Sequence, residues 1–267
     1  MAADEVEGAR TFRQPGEVYD LFMGRYSRAL APVFLDAAGV TGPPGSALDV
    51  GCGPGALTEA LVARLGAPAV TAVDPSEPFV ASCRARCPGV DVRAGRAEAL
   101  PVEDAAHDAA LAQLVLHFVS DPAAAAAEMV RAVRPGGTVA ACVWEFSAGM
   151  EMLRLYWDAA LAVDPDAPDE ARTLRFGRPG EITDLFTAAG LTDVEEGVIG
   201  VGSTYRDVDE LWSGFLAGIG PAGSHLLGLP EEQRARVRAG VEERLGAPTG
   251  PFTLAATARC AVGRRPA

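Results

Sequence analysis

The sequence predicts an α/β fold organised around a largely parallel sheet, and three observations carry that prediction. From Ser46 onward, short apolar runs that end in Asp, Gly or Pro alternate with amphipathic stretches. Connections of about ten helical residues imply parallel βαβ units with right-handed crossovers. A glycine-rich bend, Gly51-Cys-Gly-Pro-Gly55, stands where the first strand turns into the first helix. The chain has 267 residues, 49% of them hydrophobic. That is enough apolar surface for a core and excludes a disordered chain.

Each element follows in order. Residues 1–16 read as a loose tail. In residues 17–40, Leu21, Phe22, Tyr26, Leu30, Val33 and Phe34 recur at helical spacing, and Thr41-Gly-Pro-Pro-Gly45 breaks the chain. Strands are expected at 47–50, 70–73, 90–93, 106–111 and 138–144, with helices at 57–65, 78–86 and 122–133 between them. After Trp144 the rhythm changes. Helices are expected at 149–163, 179–189, 207–217 and 231–245, with strands at 191–199 and 252–262. The late helical segments could form a cap over the sheet.

Charge narrows the function classes. Twenty-three basic residues, every one of them Arg, face 36 acidic ones, for a net charge of −13. An acidic chain lacks the cationic surface that releases phosphate counterions, so nucleic acid is not an expected partner. An anionic membrane surface is excluded for the same reason. The N-terminus MAADEVEGAR has no signal-peptide pattern. The apolar run from Ala109 to Val119 is interrupted by Gln113 and His117 and falls short of a membrane span. A cytoplasmic protein, monomeric or homodimeric, is expected. Cys52, Cys83, Cys87, Cys142 and Cys260 are odd in number and scattered, so they read as free thiols, with no metal site expected.

Two motifs carry chemistry. In Leu48-Asp49-Val50-Gly51-Cys52-Gly53-Pro54-Gly55, three glycines at spacing two allow a ligand close to the backbone, and the amides of the following helix start favour an anionic group. Asp49, however, lies two residues before the first glycine, and a carboxylate there suits a cationic amine better than a diphosphate. Asp74 follows the second strand, 19 residues beyond Gly55, where an acid can accept both hydroxyls of a ribose. Together they describe a nucleoside with an amino-acid-like cationic arm. Gly51-x-Gly53-x-x-Ala56 also meets the dinucleotide pattern, so a nicotinamide-binding turn is the rival reading.

With these motifs, the sequence resembles the class I S-adenosylmethionine-dependent methyltransferases. Four blocks match in order: LDVGCGPG (48–55), VDPS (73–76), GRAEALPVEDAAHDAALAQ (95–113) and VRPGGTVAACVW (133–144). The lead-in YDLFMGRYS (19–27) is similar to small-molecule members near the quinone-biosynthesis branch. The resemblance implies a Rossmann-like, doubly wound seven-stranded sheet, mostly parallel with an antiparallel last strand, plus helical cap segments. It also implies one methyltransferase domain over residues 1–267. Its parts would be a cofactor-binding core over 46–145, an N-terminal lid helix over 17–40 and a partly cap-forming substrate region over 146–250.

By that resemblance Gly51, Gly53 and Gly55 would cradle the methionine arm and ribose of S-adenosyl-L-methionine, whose product is S-adenosyl-L-homocysteine. Asp49 would approach the methionine amine, Asp74 the ribose hydroxyls, Pro75 the adenine face, and the Ala97 amide the adenine edge. Gln113 would face the methionine arm. Many relatives have Asp where this chain has Arg96. Arg has no acceptor, so Glu98, a water or a backbone carbonyl is left to hold the adenine amino group. Tyr19 could point at the sulfonium or its methyl, and Arg25 could pair with the methionine carboxylate.

His117, four residues beyond Gln113, has an ordinary pKa suited to proton removal near neutrality. Base, pocket-lining and purely structural roles all stay open for it. Trp144, Phe146, Met150, Met152, Tyr156, Trp157, Phe176, Trp212 and Phe215 supply core, acceptor pocket, or both. The expected activity is methyl transfer to O, C or N of a small, apolar or aromatic metabolite, in secondary metabolism. The alternative is a protein that binds the same cofactor for non-methylating chemistry, a cyclase or a regulator.

Overall fold

A computed structural model describes residues 20–42 and 45–267. A π-helical turn, Asp20–Gly24, leads into α1 (Arg25–Ala37), β1 (Ala47–Val50) and α2 (Ala56–Leu65). Then come β2 (Val70–Asp74), α3 (Glu77–Arg86), β3 (Asp91–Ala94) and β4 (His107–Gln113). A 3-10 turn, Leu116–Phe118, precedes α4 (Pro122–Ala132) and β5 (Val133–Trp144). The remainder is α5 (Glu151–Val163), α6 (Glu170–Thr173), α7 (Glu181–Ala188), β6 (Thr192–Tyr205), α8 (Val208–Leu216), α9 (Gly220–Gly228), α10 (Glu231–Arg244) and β7 (Phe252–Arg264).

The seven strands form one sheet in the order β3-β2-β1-β4-β5-β7-β6. β1 pairs in parallel with β2 and β4, β2 with β3, and β4 with β5. β7 is antiparallel to both β5 and β6. This is the expected doubly wound fold with an antiparallel last strand. The order reverses between β1 and β4, so right-handed crossovers on either side send helices to opposite faces and open a crevice at the strand ends.

Burial explains the strands' composition. All of β1, ALDV, is buried, as a central strand covered on both faces must be. α4 starts where Asp121 accepts the Ala124 amide at 3.0 Å with Pro122 next to it, a side-chain cap followed by Pro in the first turn. Its Ala125, Ala126, Met129 and Ala132 are buried. α1 buries Tyr26, Leu30 and Phe34 and packs on β6 and α2.

The cap helices join the main core through aromatic rings. Tyr156 stacks on Phe215 with ring centroids 4.7 Å apart, and Phe22 meets Phe215 edge-on at 5.3 Å. The nine late aromatic and Met residues singled out above are all buried. The five cysteines are buried and free. Among the described residues no helix is long and apolar enough to cross a membrane.

Boundaries shift where partners are distant. β5 begins at Val133 rather than 138, because the Gly136 amide donates to Arg265 O at 2.8 Å and the Arg265 amide to Gly137 O at 3.0 Å. β6 runs on to Tyr205, past Gly200 and Gly202, since each pairs with a β7 residue. The N-terminal helix, read over 17–40, is described only from Asp20, as the π-helical turn and α1 ending at Ala37. α6 and α9 were not expected.

Candidate cofactor site

The crevice holds a cavity of about 520 Å³. Its floor is the bend after β1. Gly51 and Cys52 donate their amides to Val73 O at 2.7 and 3.0 Å, fastening the bend to β2. Gly51, Gly53 and Gly55 have φ of 72°, 54° and 100°, the left-handed region that favours glycine. Gly51 needs its glycine for packing, since a Cβ would lie 2.5 Å from a Val115 methyl. At Gly53 a Cβ would meet nothing within 4 Å. Gly53 lines the cavity, so a Cβ there would take up ligand space instead.

Asp49 and Asp74 both line the cavity. Asp49 is almost fully buried and accepts the Thr58 hydroxyl at 2.6 Å. Burial pushes its carboxyl up to about 8, against the Thr58 bond and helped by neighbouring Cys83 and Asp74. A buried carboxyl of this kind is completed by a cation. Asp74 accepts the Gly53 and Ser76 amides, each at 2.8 Å and one on each oxygen. Burial outweighs those bonds and raises it to about 6. Each oxygen keeps a second lone pair for a ligand hydroxyl.

Pro75, Ala97, Glu98 and Gln113 line the same cavity. Glu98 accepts from the Ser120 and Asp121 amides at 3.1 and 3.4 Å and from Arg96 at 3.3 Å. Burial alone would raise Glu98, but its own backbone amide, the Arg96 side chain and the Asp121 amide hold it below the usual carboxylate value. Gln113 Nε2 donates to Ser27 O at 2.9 Å. Its Oε1 is buried and has no partner among the described residues. An unpaired buried acceptor is costly, and a ligand ammonium would satisfy it.

Gly55 does not line the cavity, a Cβ there lying 3.2 Å from Cys83 Sγ, and two further candidates lie elsewhere. Arg25 donates to Glu210 Oε1 at 3.0 Å and Thr204 O at 3.1 Å, with its guanidinium 4.1 Å from the Tyr205 ring centroid. It does not line the cavity. His117 is in the 3-10 turn, 3% exposed, against Phe118 and Phe146. It lines a separate, smaller cavity, and burial lowers its ring to about 3. Tyr19 lies outside the described residues. Sequence reasoning missed Ser27, Thr58 and Val115, which hold Gln113, Asp49 and Gly51 in place. Phe79 and Phe118, two aromatic walls of the cavity, were also missed.

The profile of a methyltransferase-domain family matches residues 48–141. A demethylmenaquinone methyltransferase of Roseiflexus castenholzii is 31% identical over 217 residues, covering 73% of this chain and 89% of that protein. The chain belongs to the class I S-adenosylmethionine-dependent methyltransferases. An uncharacterised 37.1 kDa protein in transposon TN4556 of Streptomyces fradiae is 41% identical over 116 residues. That match spans 42% of this methyltransferase and only a third (33%) of the Streptomyces protein's length. In fold, the methyltransferase superposes on Haemonchus contortus phosphoethanolamine N-methyltransferase 2 with a TM-score of 0.56 at 14% identity, over 96% of this chain and 60% of that one. That structure contains phosphomonomethylethanolamine and S-adenosylhomocysteine.

Proposed function

We propose that the protein transfers the methyl group of S-adenosylmethionine to O, C or N of a small apolar or aromatic molecule. The observation that carries this reading is the acidic, glycine-lined cavity at the β1 turn, where a buried carboxyl and an orphaned amide oxygen stand ready for an ammonium group. The residues present fit that donor. Gly51, Gly53 and Gly55 would shape its cradle. Asp49 and Gln113 Oε1 would hold its amine, Asp74 its ribose, and Pro75, Ala97 and Glu98 its adenine.

When bound, the donor supplies an electrophilic methyl on a sulfonium. The chain then has to align the acceptor in line with it and exclude water. The leaving thioether is uncharged, so its departure needs no electrophilic assistance. The reading includes a cytoplasmic monomer or homodimer acting on small molecules in secondary metabolism. It also keeps Tyr19, Arg25 and His117 as candidates for roles near the donor, reached by Arg25 and His117 only after movement from their present partners.

The test is incubation with the methyl donor and a metabolite extract, read by mass spectrometry. A product heavier by one CH₂ supports transfer. An isomer of the starting compound would point instead to cyclisation.

A pH dependence follows from Asp49. Its folded-state value of about 8 stands above the ordinary 3.8. Between those values the folded chain keeps a proton that the unfolded chain has released, so the free protein loses stability as pH rises through that window. An ammonium that pairs with the carboxylate displaces the proton. Affinity for S-adenosylhomocysteine is therefore expected to rise from pH 6 to 7.5, by about tenfold per pH unit at most, with proton release in calorimetry. A flat profile would separate Asp49 from the amine.

A further inference from the structure

Buried thiols converge behind the glycine bend. Cys52, between Gly51 and Gly53, lines the cofactor cavity while only 4% exposed. Its carbonyl accepts the Gly55 amide at 2.9 Å. Cys52 packs with Cys83 of α3 in a small apolar cluster that also holds Ala72, Val80 and Val92. The Cys83 thiol is within hydrogen-bonding reach of both the Cys52 and the Cys87 thiols. Cys83 also backs the bend itself, since its Sγ would stand 3.2 Å from a Cβ on Gly55.

This cluster is wired to the acids that face the ligand. In its thiol form Cys83 donates to Thr58 Oγ1 at 3.5 Å, and the Thr58 hydroxyl donates to Asp49 at 2.6 Å. On the other side of Cys52, the Gly53 amide donates to Asp74 at 2.8 Å. A change at either sulfur therefore reaches both carboxyls.

The chemistry of the pair favours oxidation. Hydrogen bonds from the Cys52 and Cys87 thiols lower the Cys83 thiol against its burial, and the thiolate is the reactive form. Cys52 gives a small oxidant its approach, through the cavity it lines. Cys142 and Cys260 also face each other, across β5 and β7, but they line neither cavity.

We infer that hydrogen peroxide joins Cys52 to Cys83 in a disulfide, and that this bond shuts S-adenosylmethionine out of its cavity. The second half rests on the methyl-transfer reading; the first does not. The O–O bond of peroxide and the two S–H bonds break, one S–S bond forms, and two molecules of water leave. The sulfurs are oxidised and the peroxide oxygens reduced. A covalent S–S bond is shorter than a contact between thiols, so it draws the bend toward α3 and disturbs the Gly53–Asp74 pair. A cofactor in the cavity covers Cys52, so cofactor and disulfide oppose each other.

The experiment treats the full, reduced chain with hydrogen peroxide and uses S-adenosylhomocysteine as the probe. Mass spectrometry should show the loss of two hydrogens and a peptide crosslinked through Cys52 and Cys83. Calorimetry should then show S-adenosylhomocysteine binding weakened by about tenfold or more, restored by dithiothreitol. Saturating S-adenosylhomocysteine should slow formation of the disulfide. Cys83→Ser keeps a hydroxyl for Thr58, and peroxide should leave its affinity unchanged. Cys87→Ser should respond as the wild type does. A wild-type crosslink mapped to Cys83–Cys87 or Cys142–Cys260 instead overturns the inference, whether or not the variants fold. So does a Cys52–Cys83 bond that leaves affinity unchanged, or an equal loss of affinity in Cys83→Ser. If the reduced chain binds no S-adenosylhomocysteine, the methyl-transfer reading falls and the closing of the cavity with it, while the mapped crosslink still decides the pair.

Discussion

Replacing Gly53 by Ala is expected to weaken S-adenosylhomocysteine binding by about 100-fold, or about 2.7 kcal/mol, while leaving the fold nearly intact. Gly53 has φ of 54° and open space where a Cβ would go. An Ala there carries only the left-handed backbone cost, about 1 kcal/mol, which lowers the melting temperature by about 3 °C for a chain of this size. Its methyl, however, projects into the cavity that the cofactor should fill. Gly51→Ala is the contrasting variant. Its Cβ would meet two Val115 methyls at 2.5 and 2.8 Å, so the bend itself has to move and stability falls by about 3 kcal/mol. Calorimetry and thermal melts on the pair separate ligand space from packing space. Equal binding losses with equal destabilisation in both would mean that the bend is only structural.

Asp74→Asn is expected to have a comparable effect on binding. The two Asp74 oxygens accept the Gly53 and Ser76 amides at 2.8 Å. The asparagine amide nitrogen cannot accept, so one of those donors loses its partner, at about 1–3 kcal/mol. The ribose hydroxyls lose a charged acceptor at about 1.5–3 kcal/mol per bond. Affinity for S-adenosylhomocysteine should fall at least 100-fold. Because burial already raises Asp74 to about 6, removing the charge itself relieves part of the stability loss. A dissociation constant within a few-fold of the wild type would show that Asp74 shapes the turn without touching the ligand.

The first half of the fold was legible because its punctuation is local. Asp49-Val-Gly51, Asp74-Pro75 and Asp121-Pro122 mark where a strand ends or a helix begins, and the elements lie within a few residues of the expected bounds. The second half was harder to read because its signals are supplied from far away in sequence. Gly197, Gly200 and Gly202 look like strand breakers, yet each is paired across the ladder to β7, and pairing context overrides strand propensity. α9, with the sequence GPAGSHLLG, contains glycines that local propensity counts against a helix. Gly223 is needed there, because a Cβ would come within 2.7 Å of the Gly218 backbone.

The candidate site divides in the same way. Glycines and acids that follow a strand could be placed from the sequence, and the structure gathers Asp49, Gly51, Gly53, Asp74, Pro75, Ala97, Glu98 and Gln113 along one cavity. Side chains whose position depends on a distant partner could not be placed. Arg25 is engaged by Glu210, 185 residues away. His117 turns from the donor cavity because Leu114 takes a left-handed bend just after β4.

The central claim is that the β1 bend and Asp74 bind a sulfonium nucleoside, and calorimetric titration of the unmodified protein with S-adenosylhomocysteine tests it most directly. One molecule should bind per chain with a dissociation constant near the micromolar range, about −8 kcal/mol, displaced by S-adenosylmethionine and insensitive to nicotinamide dinucleotides. No heat at millimolar ligand, or occupation of the cavity by a dinucleotide instead, would contradict it.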